Sequence, residues 1–137
     1  MKRYLLDTGP LAAYLFGRPQ AIEVIRPWIV QRCAATSILV YGEVVEYLIG
    51  RANSAPRQAQ LRRLLREVVP FVLTYPILER YAVLRRQLRP PHGPGLIGDI
   101  DTLIAATALE RNLSVVTTDS DFGRIPGLSV KLLPRLR

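Results

Sequence analysis

Short apolar runs alternate with longer stretches whose apolar residues recur at helical spacing, and this alternation governs what the 137-residue chain can become. Tyr4 to Leu6, Cys33 to Thr36, Phe71 to Thr74, Ser114 to Thr117 and Ser129 to Leu133 each read as a strand. Between them lie helical segments: Leu11 to Phe16 after Gly9-Pro10, a helix from Pro19 with Pro27 as a kink or early end, and Ile38 to Ala52 behind an N-cap at Thr36 or Ser37. A helix from Pro56 places Leu61, Leu64, Leu65 and Val68 on one face. Another after Pro76 carries Ile77, Tyr81, Leu84 and Leu88, and a last one runs from Asp101 to Asn112. Strands separated by helices pair in parallel, so the expected fold is α/β, a three-layer sandwich around a mainly parallel sheet, with Ser129 to Leu133 at an edge. Pro90-Pro91-His92-Gly93-Pro94-Gly95 reads as the one long loop.

The aspartates fall at the borders of these elements. Asp7 follows the first strand, Asp99 and Asp101 open the last helix, and Asp119 and Asp121 follow the strand at Ser114. In parallel sheets ligands collect beyond the carboxyl ends of the strands, where Asp7 and Asp119 stand. Carboxylates gathered there repel, and a divalent cation relieves the repulsion. An oxygen-only cation site of this kind points to hydrolysis of phosphodiesters.

Composition narrows the choice. The length suits one domain, residues 1–137, burying about 68% of the unfolded surface. No apolar stretch approaches the roughly 18 residues of a membrane span. The amino-terminal run breaks at Asp7, Gly9 and Pro10, short of a signal peptide, so the expected location is cytoplasmic. Cys33 is the lone cysteine and His92 the lone histidine, which leaves no Cys/His zinc set; carboxylate ligands select Mg²⁺ or Mn²⁺. The formal charge of +8 is almost all arginine, whose planar fork matches phosphate oxygens in pairs. A basic surface alone is also compatible with mere solvation.

Four segments resemble one known family in order and spacing: Leu5-Leu6-Asp7-Thr8-Gly9-Pro10-Leu11, the Ser37 to Tyr47 stretch containing Gly42-Glu43, Asp101-Thr102-Leu103-Ile104-Ala105-Ala106-Thr107-Ala108, and Thr117-Thr118-Asp119-Ser120-Asp121-Phe122 with Ile125-Pro126-Gly127-Leu128. The chain resembles PIN-domain ribonucleases of the VapC toxin type over nearly its full length. The resemblance implies four acidic ligands, Asp7, Glu43, Asp101 and Asp119, holding Mg²⁺ or Mn²⁺. It further implies RNA as substrate, a VapB-type antitoxin partner that covers the cleft, and a homodimer. Hydrolysis by cation-activated water would leave 5′-phosphate and 3′-hydroxyl ends.

Each residue has a plainer alternative. Asp7 could simply cap a helix, and Glu43 could be a solvated helix residue with Glu46 as competitor. Gly42 favours Glu43, since a helical glycine suggests close approach. Asp99 and Asp101, about 200° apart around a helix, divide between capping and binding, and Asp121 is expected to orient the turn beside Asp119. Thr8, Ser37 and Thr118 offer hydroxyls near the acids or satisfy local backbone. His92 is expected exposed. The arginines of the helices from Pro56 and Ile77 could serve RNA phosphates. A receiver domain would need an internal phospho-acceptor aspartate, yet none occurs between Asp7 and Asp99, and an aspartate-nucleophile phosphatase would need an acid where Gly9 stands. The alternative function is a noncatalytic PIN module that binds RNA or protein without cleavage.

Overall fold

The computed structural model describes residues 1–135. Five strands, β1 (Tyr4–Leu6), β2 (Ala34–Ser37), β3 (Val69–Phe71), β4 (Ser114–Thr117) and β5 (Val130–Leu132), form one sheet in the order β3-β2-β1-β4-β5. Every pairing is parallel, with Tyr4 beside both Ala34 and Ser114. The central strands bury Leu5, Leu6, Ala34, Ala35, Val115 and Val116 completely, the continuous apolar pattern of strands covered on both faces. Each fully buried leucine contributes about 1.5–3 kcal/mol, so the sheet centre resists substitution.

Six helices connect the strands. The helices α1 (Thr8–Leu15), α2 (Pro19–Val30), α3 (Ile38–Leu48) and α4 (Ser54–Leu64) pack as one group. The helices α5 (Tyr75–Leu88) and α6 (Asp99–Arg111) pack against each other as a second. With the sheet between them, the α/β sandwich expected from the alternation is the fold observed. A short 3₁₀ helix, Ser120–Arg124, follows β4 and sends Phe122 into the core.

Local boundaries differ from expectation for identifiable reasons. The third strand is Val69–Phe71, not Phe71 to Thr74. At the sheet edge Pro70 forfeits no needed ladder bond, and the Thr74 hydroxyl accepts from Ile77 N–H at 3.4 Å, drawing the chain into α5. Helix α3 stops at Leu48 rather than Ala52, because Ile49 is extended and Gly50 takes φ +85°. Pro27 does not end α2, which continues to Val30; the carbonyl it leaves without a donor, on Glu23, lies on the exposed side of the helix. The last helix starts at Asp99 and ends before Asn112, which adopts the left-handed conformation.

Candidate active site

The strand order reverses between β1 and β4: the chain moves outward from β1 to β2 and β3, then crosses to the other side of β1. That reversal opens a crevice at the carboxyl ends of β1 and β4. Asp7 sits at its base. The Asp7 N–H donates to the Val116 carbonyl at 2.9 Å, extending the ladder by one residue, and its carbonyl accepts the Leu11 N–H at 3.1 Å, beginning α1. The backbone of Asp7 therefore occupies the N-cap position, but its carboxylate makes no cap bond, which removes helix capping as the reason for the residue. Instead the buried carboxylate accepts the Thr117 hydroxyl at 2.7 Å.

Thr117 joins two acids. While its Oγ1 donates to Asp7, it accepts the Asp119 N–H at 3.0 Å, so one buried hydroxyl fixes Asp7 and the turn that carries Asp119. The Asp119 carboxylate in turn accepts the Asp121 N–H at 2.9 Å and caps the 3₁₀ helix with one oxygen. Thr117 escaped sequence reasoning, which chose its neighbour Thr118. The available signal was period-two alternation: Thr117 and Asp119 share one side of the strand's continuation.

Glu43 enters from the second turn of α3, half-buried, and accepts the Thr8 hydroxyl at 2.5 Å, a short bond typical of a hydroxyl donating to a charged oxygen. Asp101 enters from the first turn of α6, where free backbone N–H groups favour negative charge. Burial first, and then the charges of Asp7, Asp119, Glu43 and Asp121, push its carboxyl up to about 6. The Asp7 carboxyl is also raised, chiefly by burial, with smaller contributions from Glu43 and Asp119; the Thr117 hydroxyl and Thr8 N–H act against this. Four acids from four separate elements thus share one electrostatic field.

Among the described residues, no three His, Cys, Asp or Glu side chains close into a ready-made metal shell. The acids form a spaced set, near enough for their charges to raise the proton affinity of Asp7 and Asp101. That donor set fits a hard dication such as Mg²⁺, which keeps several of its waters and takes only one or two carboxylates directly.

The remaining candidates separate cleanly. Asp99 does not cap α6, whose N-cap is Gly98; it points to α5, where Arg85 and Tyr81 donate to it. Asp121 forms a 3.6 Å ion pair with Arg124 and adds to the field on Asp101. Glu46 is exposed and absent from that field, so Glu43 is the acid of α3 that faces the cleft. Gly42 does not mark a close approach, since a Cβ there would meet open space. Crowding occurs at Gly9 instead, where a Cβ would lie 3.2 Å from Thr118 Oγ1. Ser37 caps α3, accepting the Leu39 N–H at 3.1 Å, and His92 is exposed. Among the basic residues, Arg80 and Arg85 pair with Glu110 and Asp99 across the α5–α6 seam, while Arg62, Arg63, Arg66, Arg86 and Arg89 remain exposed.

A parallel α/β sheet with acids gathered at its strand-order reversal defines an acidic-cleft α/β protein. The chain belongs to the PIN domain family, whose family model matches residues 4–128. No curated protein sequence matches it. Among solved structures it is similar to a chain of VapBC2 from Rickettsia felis, crystallised on a DNA fragment from its promoter. That pair shares 22% identity over 95% of this chain and 98% of the other, with a TM-score of 0.82. DNA-bound VapBC from Salmonella typhimurium gives 20% identity over 96% and 98%, TM-score 0.83. FitAcB from Neisseria gonorrhoeae gives 24% over 93% and 95%, TM-score 0.71. Likeness at these identities establishes the shared fold.

Proposed function

We propose that the chain is a metal-dependent endoribonuclease, the toxin of a VapBC-type toxin-antitoxin pair, acting as a single PIN domain in the cytoplasm. The observation that carries this reading is the shared field of Asp7, Glu43, Asp101 and Asp119, delivered by β1, α3, α6 and the turn after β4. Family membership and the common fold with VapBC chains support it, as does the excess of arginine over acid. A VapB-type antitoxin and a homodimer belong to the same proposal, by likeness to those complexes. Among the described residues no helix is long and apolar enough to cross a membrane.

In this proposal the four acids hold Mg²⁺ or Mn²⁺. When bound, such a cation supplies Lewis acidity at the scissile phosphate and lowers the pKa of a coordinated water. The protein's own residues do the positioning. Thr117 holds the Asp7 carboxylate in place and favours its ionised form, and the Thr8 hydroxyl holds the Glu43 carboxylate in place. Exposed Arg62 and Arg63 on α4, and Arg66 just beyond its end, would attract RNA phosphates, an attraction that weakens as salt rises.

The test is cleavage of end-labelled RNA by purified protein with Mg²⁺, Mn²⁺ or EDTA, beside an Asp7→Asn/Asp101→Asn double variant of demonstrated fold. Cutting that requires the cation and disappears in the variant is the expected result. Failure with either cation across varied RNAs, together with no cation binding by calorimetry, would replace the enzyme with the noncatalytic module.

A further inference from the structure

Beyond the acids, one surface feature ends in an exposed aromatic ring and a cation that makes no ion pair among the described residues. Tyr47 lies one turn along α3 from Glu43, roughly 6 Å of helix rise, and is 49% exposed. The Arg51 guanidinium lies over its ring at 3.9 Å and is steered there by a 3.0 Å bond from Nε to the Tyr47 carbonyl. Behind it, Phe16 meets the Tyr47 ring at 5.8 Å and 65°, and the Arg57 guanidinium sits 5.1 Å from the Phe16 ring. Arg57 is itself tied to the last carbonyl of α1, on Leu15, at 3.4 Å, and to Gln60 at 3.2 Å. The result is a ladder, Arg57-Phe16-Tyr47-Arg51, anchored at its inner end and open at its outer end.

The open end borders a hollow of about 560 Å³ lined by Glu43, Glu46, Tyr47, Ile49, Gly50 and Arg51. Glu43 belongs to both the acid cluster and the lining of this hollow, so the hollow borders the cluster. Among the described residues Arg51 makes no ion pair, although Glu46 shares the hollow. Its Nε bond leaves four of the five guanidinium N–H groups uncommitted to the protein. A planar cation held flat, with free donors, has the chemistry that receives an unstacked base on its face and a phosphate at its edge. A duplex, whose bases are stacked on one another, has no such face to offer.

We infer that the Tyr47–Arg51 stack is a subsite for one nucleotide of single-stranded RNA next to the bond that is cut, binding the base by stacking and its phosphate through Arg51. This rests on the ribonuclease reading for its substrate and adds which strand state and which nucleotide contact the protein selects. Stacking of a base on such a platform is sequence-tolerant, so the subsite selects single-stranded over paired RNA without choosing a base.

The test is fluorescence anisotropy with the full chain carrying Asp101→Asn, in Mg²⁺, on a labelled single-stranded RNA and on an abasic oligomer of equal length and charge. Cleavage of the same RNA by the unsubstituted chain is measured in parallel. The base-bearing oligomer should bind about tenfold tighter. That preference should vanish with Tyr47→Ala, fall with Arg51→Ala, and survive in Tyr47→Phe; melting temperatures establish that each variant is folded. Equal binding of the two oligomers, or a preference untouched by both alanine variants, overturns the subsite while cleavage still upholds the nuclease. A preference that depends on Tyr47 without any cleavage overturns the nuclease and leaves the subsite as an RNA-binding feature.

Discussion

Asp99 and Asp101 stand two residues apart in the first turn of α6, share the same helix-terminal field, and meet opposite surroundings. Asp99 turns outward to the α5 seam, where Arg85 and the Tyr81 hydroxyl donate to it. Asp101 turns into the cleft, where burial and four carboxylates raise its pKa to about 6. Two residues rotate a helix by about 200°, so adjacent acids of one type can serve stability on one face and ligand binding on the other. The outer acid finds its counter-charge within the protein. The inner one finds none, and an acid held that way is poised for a cation from outside.

The sharpest way to break this comparison is to remove each charge alone. Asp101→Asn should reduce RNA cleavage by roughly 10²–10³-fold, as loss of a group acting on transition-state charge does. In EDTA it should also raise the melting temperature by relieving repulsion. Asp99→Asn should leave cleavage within about threefold, because nothing ties that side chain to the cleft. Equal effects in the two variants would dissolve the distinction.

Thr117→Val tests whether the cleft acids depend on neutral support. The substitution keeps shape but leaves the buried Asp7 carboxylate without its donor and the Asp119 N–H unpaired, a loss of about 1–3 kcal/mol in a urea titration. Cleavage should fall too, while Thr117→Ser should restore most of both.

The cleft also predicts a direction with pH. Asp101 binds its proton more tightly folded than unfolded, so in EDTA its effect on stability is most favourable below about pH 4. It is lost as pH rises toward and through about 6. Urea midpoints in EDTA, compared between the native chain and Asp101→Asn, should therefore diverge as pH rises from about 4 through about 6, with the variant more stable, and Mg²⁺ at pH 7 should close the gap. A gap that is constant across pH 4–7 would show that this carboxyl is not raised in the folded protein. The smallest effect belongs to the outer face: Arg85→Ala should cost no more than about 1 kcal/mol, as exposed ion pairs do.

Much of this was legible in the residues. Apolar runs ending in Asp7 and before Asp119 placed both acids at strand ends, and the fold follows from the alternation. Edges were harder to read. The strand expected from Phe71 to Thr74 lies earlier and includes Pro70, which an edge strand without need of that N–H accommodates. A glycine inside a helix, Gly42, suggests close approach, whereas its side is open and the crowded glycine is Gly9. Alternation put Thr117 on the side of Asp119, but its bond to Asp7 and the backing of Tyr47 by Phe16 were not legible, because those partners come from distant stretches of chain that folding brings near. Periodicity reports which way a residue faces, and nothing about what arrives opposite.

The bond from Thr117 to Asp7 spans 110 positions of sequence. A ribosome extrudes Asp7 long before Thr117 and Asp119, and β4 must enter the sheet beside β1 before the acids meet. An unfinished chain therefore holds its carboxylates apart. For a protein proposed to cut RNA, the order of synthesis keeps the blade unassembled until β4 has left the RNA-rich machine that makes it.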